Sequence, residues 1–167
     1  KNVLSEFIDS NYKNAIDIGC GTGLDSVSLS LNGLKVTGFD TSEQMISKAR
    51  KNAKKRNLNI RFISAPFSKV NIPKSQNVDL VVSLGNAFAN IKEKELIGII
   101  KLAYSLLNEG GSFLFQVLNY DLIRKENKRI VNITSKSGNT FIRFYDIEKI
   151  LLRFNILTIN NTKTSDY

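Results

Sequence analysis

The sequence predicts an α/β fold with a doubly wound parallel sheet, because apolar strand-like runs alternate with helix-like segments over residues 14–118. Two further observations support this prediction. Three glycines at alternate positions follow the first apolar run, as in a turn that brings the backbone against a ligand. The second run ends at an acid, Asp40. The expected strand order is 3-2-1-4-5, with ligands over the carboxyl ends of strands one and four.

The elements of the sheet follow one another in regular alternation. Residues 1–13 have the apolar spacing of the end of a helix. Asn32-Gly33 and Glu109-Gly110-Gly111 indicate the ends of the first and the third helix. The near-continuous apolar character of the fourth strand is typical of a buried parallel strand. The predicted strands are Ala15–Ile18, Lys35–Phe39, Ile60–Ile63, Val78–Leu84 and Ser112–Leu118, and the predicted helices are Leu24–Leu31, Ser42–Arg56 and Lys92–Leu107.

The pattern changes after Asp121, where three strand-like stretches follow without helical segments between them. Ser137-Gly138-Asn139 provides the first turn, so these stretches predict an antiparallel β meander. We therefore divide the chain into an α/β core at residues 1–121 and an antiparallel insertion at residues 122–167. The three stretches are residues 129–134, 140–146 and 150–159.

The glycine turn reads Asp17-Ile18-Gly19-Cys20-Gly21-Thr22-Gly23. The dinucleotide-binding fingerprint G-x-G-x-x-G does not fit it. Counting from Gly19, the last glycine is replaced by Leu24, and counting from the next glycine it is replaced by Ser26. The pattern present is G-x-G-x-G preceded by an acid. A glycine-rich turn without any ligand is the alternative interpretation.

Asp40 ends the second predicted strand, 17 residues after Gly23. A carboxylate at that point can accept hydrogen bonds from both hydroxyls of a ribose. The alternative is a residue that only starts the next helix, where Thr41 and Gln44 have the spacing of a capping box. The two roles are compatible, since Thr41 can cap the helix while Asp40 binds a ribose.

Length and composition restrict the chemistry. The 167 residues suit one domain and are 42% hydrophobic, which is ordinary for a globular protein. The absence of histidine excludes histidine bases and the usual zinc ligand sets, so we predict no metal. Cys20 is the single cysteine, which excludes an intrachain disulfide and suits a reducing cytoplasm. No apolar run or signal peptide indicates a membrane partner. A first residue other than Met suggests a fragment of a longer protein.

The net charge is +9, and much of it lies in the second predicted helix. A solvated helix face explains these residues most simply. Nucleic acid is the less favoured partner, because no aromatic side chains interleave with the basic ones to stack on bases. The basic residues are Lys48, Arg50, Lys51, Lys54, Lys55 and Arg56.

The stretch from Ile16 to Ser26 resembles motif I of the class I S-adenosylmethionine (SAM)-dependent methyltransferases, often written D-x-G-C-G-T-G. Residues 84–90 (Leu-Gly-Asn-Ala-Phe-Ala-Asn) and 119–121 (Asn-Tyr-Asp) resemble the L-G-N-S-F-A-H and N-Y-D segments of the glycine and sarcosine N-methyltransferase-like enzymes. The resemblance covers roughly residues 14–121. It implies a Rossmann-like fold, truncated here, that uses SAM and releases S-adenosylhomocysteine (SAH).

The implied reaction is an in-line transfer of the SAM methyl group to a nitrogen or oxygen of a small molecule. Two alternatives stay open at this stage. The basic charge favours an RNA methyltransferase, in which case affinity for RNA would depend strongly on salt. The missing flanks favour a SAM-binding fragment without activity. The DNA and RNA amino-methyltransferases carry an N/D-P-P-Y-type motif after strand four. This chain has no proline there, which disfavours that class.

The resemblance also implies particular site residues. Asp40 would hold the ribose hydroxyls and Met45 would pack near the adenine. Asn86, at the end of strand four, would face the methyl acceptor and favour an unprotonated amine, and Tyr120 is a second catalytic candidate. The residues expected to bind SAM are Asp17, Gly19, Cys20, Gly21, Thr22, Gly23, Asp40, Thr41, Met45, Ala65, Pro66, Phe67 and Leu84.

Three departures from the family pattern affect these expectations. Many class I enzymes carry an acid after strand three that accepts the adenine amino group, whereas this chain has Ala65-Pro66-Phe67. Adenine recognition would then depend on the Phe67 backbone and on apolar packing. Leu118 replaces the arginine that holds the carboxylate in glycine-methylating relatives, so glycine is a poor acceptor. The family's lid before residue 1 and its last two strands would lie outside this chain.

The resemblance places a substrate-covering insertion after strand five, where residues 129–159 lie. Phe141, Arg143 and Tyr145 alternate with other apolar residues and should share one face of a strand. We expect Arg143 and Tyr145 to help close over the acceptor. A dimer interface is the alternative role for this meander, which would make the protein a homo-oligomer.

Overall fold

The computed structural model describes residues 3–73, 77–148 and 152–160, and the chain divides into two compact units. The first unit ends at Val117 and the second begins at Leu118. Among those described residues, no helix is both long and apolar enough to span a lipid bilayer.

Five strands of the first unit form one parallel sheet. In chain order they are β1 at Asn14–Ile18, β2 at Lys35–Asp40, β3 at Arg61–Ser64, β4 at Val78–Ser83 and β5 at Leu107–Phe115. Their order in the sheet is β3-β2-β1-β4-β5, which confirms the predicted topology. Three α-helices connect them, α1 at Leu24–Leu31, α2 at Glu43–Lys54 and α3 at Glu93–Leu106. Short 3-10 helices lie at Val3–Phe7, Phe67–Lys69 and Ala87–Asn90.

Apolar side chains cover both faces of this sheet because successive strand residues point to opposite sides. On one face, Ile16 and Val81 pack with Ile99 and other buried residues of α3. On the other face, Ala15, Leu80 and Val82 pack with Leu29 of α1. The paired register Ala15 with Leu80 and Ile16 with Val81 keeps the two sets separate. Both faces of the central strands are therefore buried, as their apolar sequence predicts.

Asp79 ties together the amino ends of three strands. Its Oδ2 accepts the backbone N–H groups of Lys13 and Asn14 at 2.8 and 2.9 Å, and its Oδ1 accepts Asn108 Nδ2 at 2.7 Å. Burial alone would raise the pKa of this carboxyl, but the three hydrogen bonds outweigh it and lower the pKa below its ordinary value. One carboxylate therefore aligns β1, β4 and β5.

The start of α2 differs from the predicted capping box. The N-cap residue is Ser42, whose Oγ accepts the backbone N–H of Met45 at 3.4 Å, and Thr41 makes no such bond. The reason lies in the preceding strand, since Asp40 Oδ1 accepts the Ser42 N–H at 2.8 Å and holds Ser42 in an extended conformation. The predicted capping role of Thr41 is therefore wrong.

Two further boundaries differ from the prediction. Glu109-Gly110-Gly111 was predicted to close the third helix, yet these residues lie inside β5, which begins directly after α3 ends at Leu106. The pairing of β4 with β5 shifts register at Val78/Leu80, and Gly110 has a φ of +77°, so a bulge takes up the glycines within the strand. At the amino end a 3-10 helix stands where an α-helix end was expected, and residues 1 and 2 lie outside the described residues.

The second unit contains α4 at Tyr120–Lys125 and the antiparallel strands β6 at Ile130–Lys136, β7 at Asn139–Ile147 and β8 at Leu152–Asn160. Their order β6-β7-β8 confirms the predicted meander. Ser137 and Gly138 form its two-residue turn with φ angles of +52° and +74°, as tight hairpins require. The predicted start of the last strand, at residues 150 and 151, lies outside the described residues.

In the second unit, Asn119 marks the start of α4 and Arg143 makes contacts on β7. The sequence analysis missed α4, although Asn119 signals its start by accepting the Leu122 N–H at 2.9 Å through Oδ1. The predicted shared face of β7 is confirmed for Phe141 and Arg143, because the Arg143 guanidinium lies 6.0 Å from the centre of the Phe141 ring. The same guanidinium donates to Asn132 Oδ1 and Thr134 Oγ1 at 3.0 and 3.1 Å.

Replacing Asp79 with alanine should lower the free energy of unfolding by about 1–3 kcal/mol, because two backbone N–H groups and one amide lose their acceptor. Since the folded-state pKa of Asp79 is lowered, its contribution is present above the ordinary pKa and is lost as the pH falls through the folded-state value. Urea unfolding of both proteins at neutral and at acidic pH measures this. Asp79→Asn keeps one acceptor oxygen and should recover part of the loss. Equal stabilities at neutral pH would contradict the role.

Candidate functional site

The glycine turn between β1 and α1 is fastened to β2 by backbone hydrogen bonds. The N–H groups of Gly19 and Cys20 both donate to the carbonyl of Phe39, at 2.8 and 2.9 Å. The Gly21 N–H donates to Asp40 Oδ2 at 2.9 Å. The predicted ribose-binding acid and the middle glycine of the turn are thus in direct contact.

The glycines of the turn serve two different purposes. Gly21 has a φ of +53°, and a Cβ added to it would meet no atom within 4 Å. Gly23 also has a positive φ, but a Cβ there would lie 3.0 Å from both Ala49 Cβ and the Phe62 ring. Gly21 therefore leaves room at the mouth of the turn, whereas Gly23 allows α1 to pack closely against α2 and β3.

Asp17 is buried beneath the glycine turn and bonds to the first helix. Its Oδ2 accepts the Ser26 hydroxyl at 2.6 Å, and both side chains are fully buried. Burial raises the pKa of Asp17 to about 7, although the Ser26 hydrogen bond lowers it. This contact joins β1 to the first turn of α1, and Asp17 itself contributes no surface to the cavity described next.

A cavity of about 580 Å³ lies over the carboxyl ends of β1 and β2, a size ordinary for small-molecule sites. Its polar groups come mainly from the stretch Asp40–Ser42, and its apolar wall comes mainly from the segment after β3 and from α3. The residues that line it are Ile18, Gly19, Gly21, Phe39, Asp40, Thr41, Ser42, Met45, Ala65, Pro66, Phe67, Gly85, Ala87, Asn90, Ile91, Glu95 and Ile99.

The segment after β3 makes the wall of this cavity apolar. Phe67 is buried and meets Phe39 edge to face, with ring centres 5.3 Å apart. The Ala65 N–H donates to the Asp40 carbonyl at 3.0 Å, and Pro66 has no backbone N–H. No backbone hydrogen bond among the described residues uses the Phe67 N–H. Phe67 is therefore the one residue of this segment whose backbone donor is available to a ligand.

The opposite wall of the cavity is formed by α3 and the residues just before it, which the sequence analysis did not assign to the site. Ile91, Glu95 and Ile99 lie four residues apart, so they form one face of α3 and its lead-in, and all three line the cavity. Glu95 accepts the Ser68 hydroxyl at 3.1 Å across the cavity wall. An acid between two isoleucines at helical spacing was the available signal. Ser42 also lines the cavity and was missed because it belongs to no motif. Asn90 lines the cavity too, and although it ends the motif at residues 84–90, the sequence analysis did not assign it to the site.

Several residues expected at the donor site do not line this cavity. Cys20 is buried with Val27 and Ile46, and burial raises the pKa of its thiol far above the usual range. The Thr22 carbonyl accepts Asn52 Nδ2 at 2.9 Å. Cys20, Thr22, Gly23 and Leu84 contribute no surface to the cavity.

Asn86 lies beside the cavity at the end of β4. Its neighbours Gly85 and Ala87 line the cavity, and its backbone N–H donates to Gln116 Oε1 at 3.2 Å. Ala87 packs directly on the glycine turn, because a Cβ added to Gly19 would come within 2.6 Å of Ala87 Cβ. Tyr120, the second catalytic candidate, begins α4 in the other unit.

The described residues contain no group of three histidine, cysteine or acidic side chains that could hold a metal ion. The cavity presents the carboxylate of Asp40 at the end of β2, backbone amides of the glycine turn, and an apolar wall in which the Phe67 N–H is available. This set of groups suits a nucleoside with a ribose and a flat heterocycle.

Comparison with known proteins gives a consistent result. A family model described as a methyltransferase domain matches residues 15–111. A glycine/sarcosine N-methyltransferase from Aphanothece halophytica is 30% identical over 115 residues, which are 68% of this chain and 43% of that protein. A ubiquinone biosynthesis O-methyltransferase from Coxiella burnetii is 30% identical over 146 residues, which are 79% of this chain and 57% of that protein. The chain spans about half the length of these curated relatives.

Solved structures share the fold. A SAM-dependent methyltransferase from Clostridium acetobutylicum superposes with a TM-score of 0.68 at 18% identity, covering 93% of this chain and 70% of that chain. A plantazolicin methyltransferase solved in complex with SAH superposes with a TM-score of 0.57 at 24% identity, covering 68% and 42% of the two chains. At these identities the likeness concerns the fold.

Replacing Asp17 with asparagine should change how stability depends on pH. Because burial raises the folded-state pKa of Asp17 from 3.8 to about 7, the stability that Asp17 contributes is fully present below 3.8 and is lost as the pH rises through about 7. The free energy of unfolding of the wild type, relative to Asp17→Asn, should therefore decline over this window and level off above it.

Urea unfolding of both proteins at a series of pH values measures this difference. Asp9→Asn provides the matched control, since Asp9 is exposed and lies outside the glycine turn. A difference between wild type and Asp17→Asn that does not vary with pH would contradict the raised pKa.

Proposed function

This chain belongs to the methyltransferase-domain family of class I SAM-dependent methyltransferases, and we propose that it methylates a nitrogen or oxygen atom of a small molecule. The observation that carries the proposal is the contact between Asp40 and the Gly21 N–H at the mouth of a cavity of nucleoside size. A turn that only connected β1 to α1 would not need its middle glycine to face open space beside a carboxylate.

The groups around the cavity fit SAM as the methyl donor. Each oxygen of Asp40 accepts one backbone N–H, from Gly21 or from Ser42, and keeps further lone pairs. The carboxylate can therefore accept both ribose hydroxyls while it continues to hold the turn. The apolar contact of Phe39 with Phe67 supports packing of the adenine, and the Phe67 N–H supplies a donor to a ring nitrogen.

Bound SAM supplies a methyl group on a positively charged sulfur, and its transfer in line to the acceptor needs no metal and no covalent nucleophile. The protein's contribution is to position the two reactants and to exclude water. We assign Asn86 to the acceptor side, because its neighbours Gly85 and Ala87 line the donor cavity. A side-chain amide oxygen there can accept a hydrogen from an amine or hydroxyl and so direct its lone pair. Tyr120 remains the second candidate for this role.

The class of acceptor follows from relatives and from one substitution. The matching relatives are named for glycine or sarcosine and for ubiquinone biosynthesis, so both nitrogen and oxygen acceptors occur among them. Leu118 replaces the arginine of the glycine-methylating enzymes and removes the bidentate partner of a carboxylate. We therefore favour an acceptor other than glycine.

Replacing Asp40 with alanine should weaken SAM binding by about 1.5–3 kcal/mol, the scale of hydrogen bonds to a charged group. Calorimetric titration with SAM and with SAH measures the loss. Glu43→Gln is the matched control, since Glu43 is an exposed acid three residues away that pairs with Arg50 outside the cavity. An Asp40→Ala protein that is folded and binds SAM as tightly as the wild type would falsify the donor-site assignment.

Pro66 should make the protein tolerant of changes at the adenine amino group, because neither a carboxylate nor an N–H stands at that position. Comparing the affinities of SAH and S-inosylhomocysteine, whose ring carries an oxygen in place of the amino group, tests this. We expect a difference below about tenfold. A strong preference for SAH over the inosine analogue would contradict the prediction. If Glu95→Gln then abolished that preference, Glu95 would be the residue that recognises the amino group.

A further inference from the structure

A second cavity of about 540 Å³ lies at the same edge of the parallel sheet. Gly85 lines both cavities, so the two spaces meet at the end of β4. The second cavity lies beyond β4 on the side of β5 and the 3-10 helix at Val3–Phe7, away from Asp40. Its lining residues are Leu4, Phe7, Asp25, Leu84, Gly85, Leu114, Phe115 and Gln116.

The chemistry of this second cavity differs from that of the first. Among the described residues that line it, five of eight are leucine or phenylalanine, and the only side chains with polar groups are those of Asp25 and Gln116. Phe7 and Phe115 are each about half exposed, at 52% and 53%, which leaves their rings available to a ligand. A molecule with an apolar body could bury these surfaces, and a compact polar molecule such as glycine could not.

Asp25 is the one charged side chain among the described residues that line this cavity. It lies in the first turn of α1, is half-buried, and makes no hydrogen bond or ion pair with any of the described residues. Burial raises the pKa of this carboxyl, and Asp25 in turn raises the pKa of nearby Asp17. A partly desolvated carboxylate without a partner is costly, and a cation is the group that would compensate it best.

We infer that this second cavity binds the methyl acceptor, and that the acceptor is an apolar amine whose charged nitrogen pairs with Asp25. Before transfer, the ammonium gives one proton to the Asp25 carboxylate. The lone pair of the resulting neutral amine then forms the new N–C bond as the bond between the methyl carbon and the sulfur of SAM breaks and SAH leaves. The inference rests on the proposed function and deepens it by naming the class of substrate. Gly85 supplies the opening toward the donor cavity, because it has no side chain and its φ is +61°. Phe7 and Phe115 supply the apolar contacts, and Asp25 selects the charge.

Three probes with similar apolar bodies test the inference: 2-phenylethylamine, 2-phenylethanol and 3-phenylpropionate. Their binding to the whole chain saturated with SAH is followed by NMR titration. We expect the amine to bind about tenfold or more tightly than the alcohol, and the carboxylate to show no binding. Equal affinities for the three probes would overturn the inference. Binding of the amine to the protein without SAH that is lost when SAH is added would also overturn it. Displacement would mean that the cavity holds part of the donor.

Variants separate the charge from the apolar contacts. Asp25→Asn should lower the affinity for the amine about tenfold and leave that for the alcohol unchanged, and it should fold normally because it removes an uncompensated carboxyl. Phe7→Ala should weaken the amine and the alcohol alike. Glu109→Gln, an exposed acid on β5 outside both cavities, should change neither affinity. An Asp25→Asn protein that keeps the full preference for the amine would also overturn the inference.

Failure of the proposed function is distinguishable from failure of this inference. SAH binding is measured first, and its absence would refute the donor site. The three probes are then compared on the protein without SAH, where a preference for the amine that depends on Asp25 would still support the second cavity as an amine site. SAH binding without such a preference would refute the amine site alone.

Discussion

The carboxylate of Asp40 joins the segments that shape the cavity over the carboxyl ends of β1 and β2. One oxygen holds the Gly21 N–H and the other holds the Ser42 N–H, so one side chain sets both the glycine turn and the first turn of α2. The two Phe39 hydrogen bonds to the same turn act in the same direction. The shape of the cavity therefore follows from the end of β2, and a ribose would bind to a carboxylate that is already oriented.

The order of the sheet and the position of the glycine turn could be predicted because they depend on local patterns. Buried parallel strands are continuously apolar, and glycines at alternate positions restrict the backbone whatever surrounds them. The start of α2 could not be predicted in this way. Thr41 and Ser42 have similar capping chemistry, and the choice of Ser42 accompanies a hydrogen bond that its own backbone N–H donates to Asp40 Oδ1.

The candidate site was predictable to the extent that it lies in motifs. Gly19, Gly21, Asp40 and the Ala65–Phe67 segment line the cavity as expected, whereas Ile91, Glu95 and Ile99 join it through the packing of a helix. Asp17 shows the opposite case. It belongs to the motif, yet it is buried under the turn and bonded to Ser26. A motif identifies the residues that a turn requires, and only the fold separates those that reach the ligand from those that support it.

The burial of Cys20 has a practical consequence. Its sulfur lies within the cluster formed by α1, α2 and Phe62, and a Cβ on Gly38 would approach it to 3.0 Å. Because the thiol is buried and burial raises its pKa, we expect little thiolate and slow alkylation in the folded protein. The native chain, which has one cysteine, therefore serves as an unreactive background for spectroscopy. A new cysteine placed on the surface could carry a fluorophore or spin label without removal of Cys20.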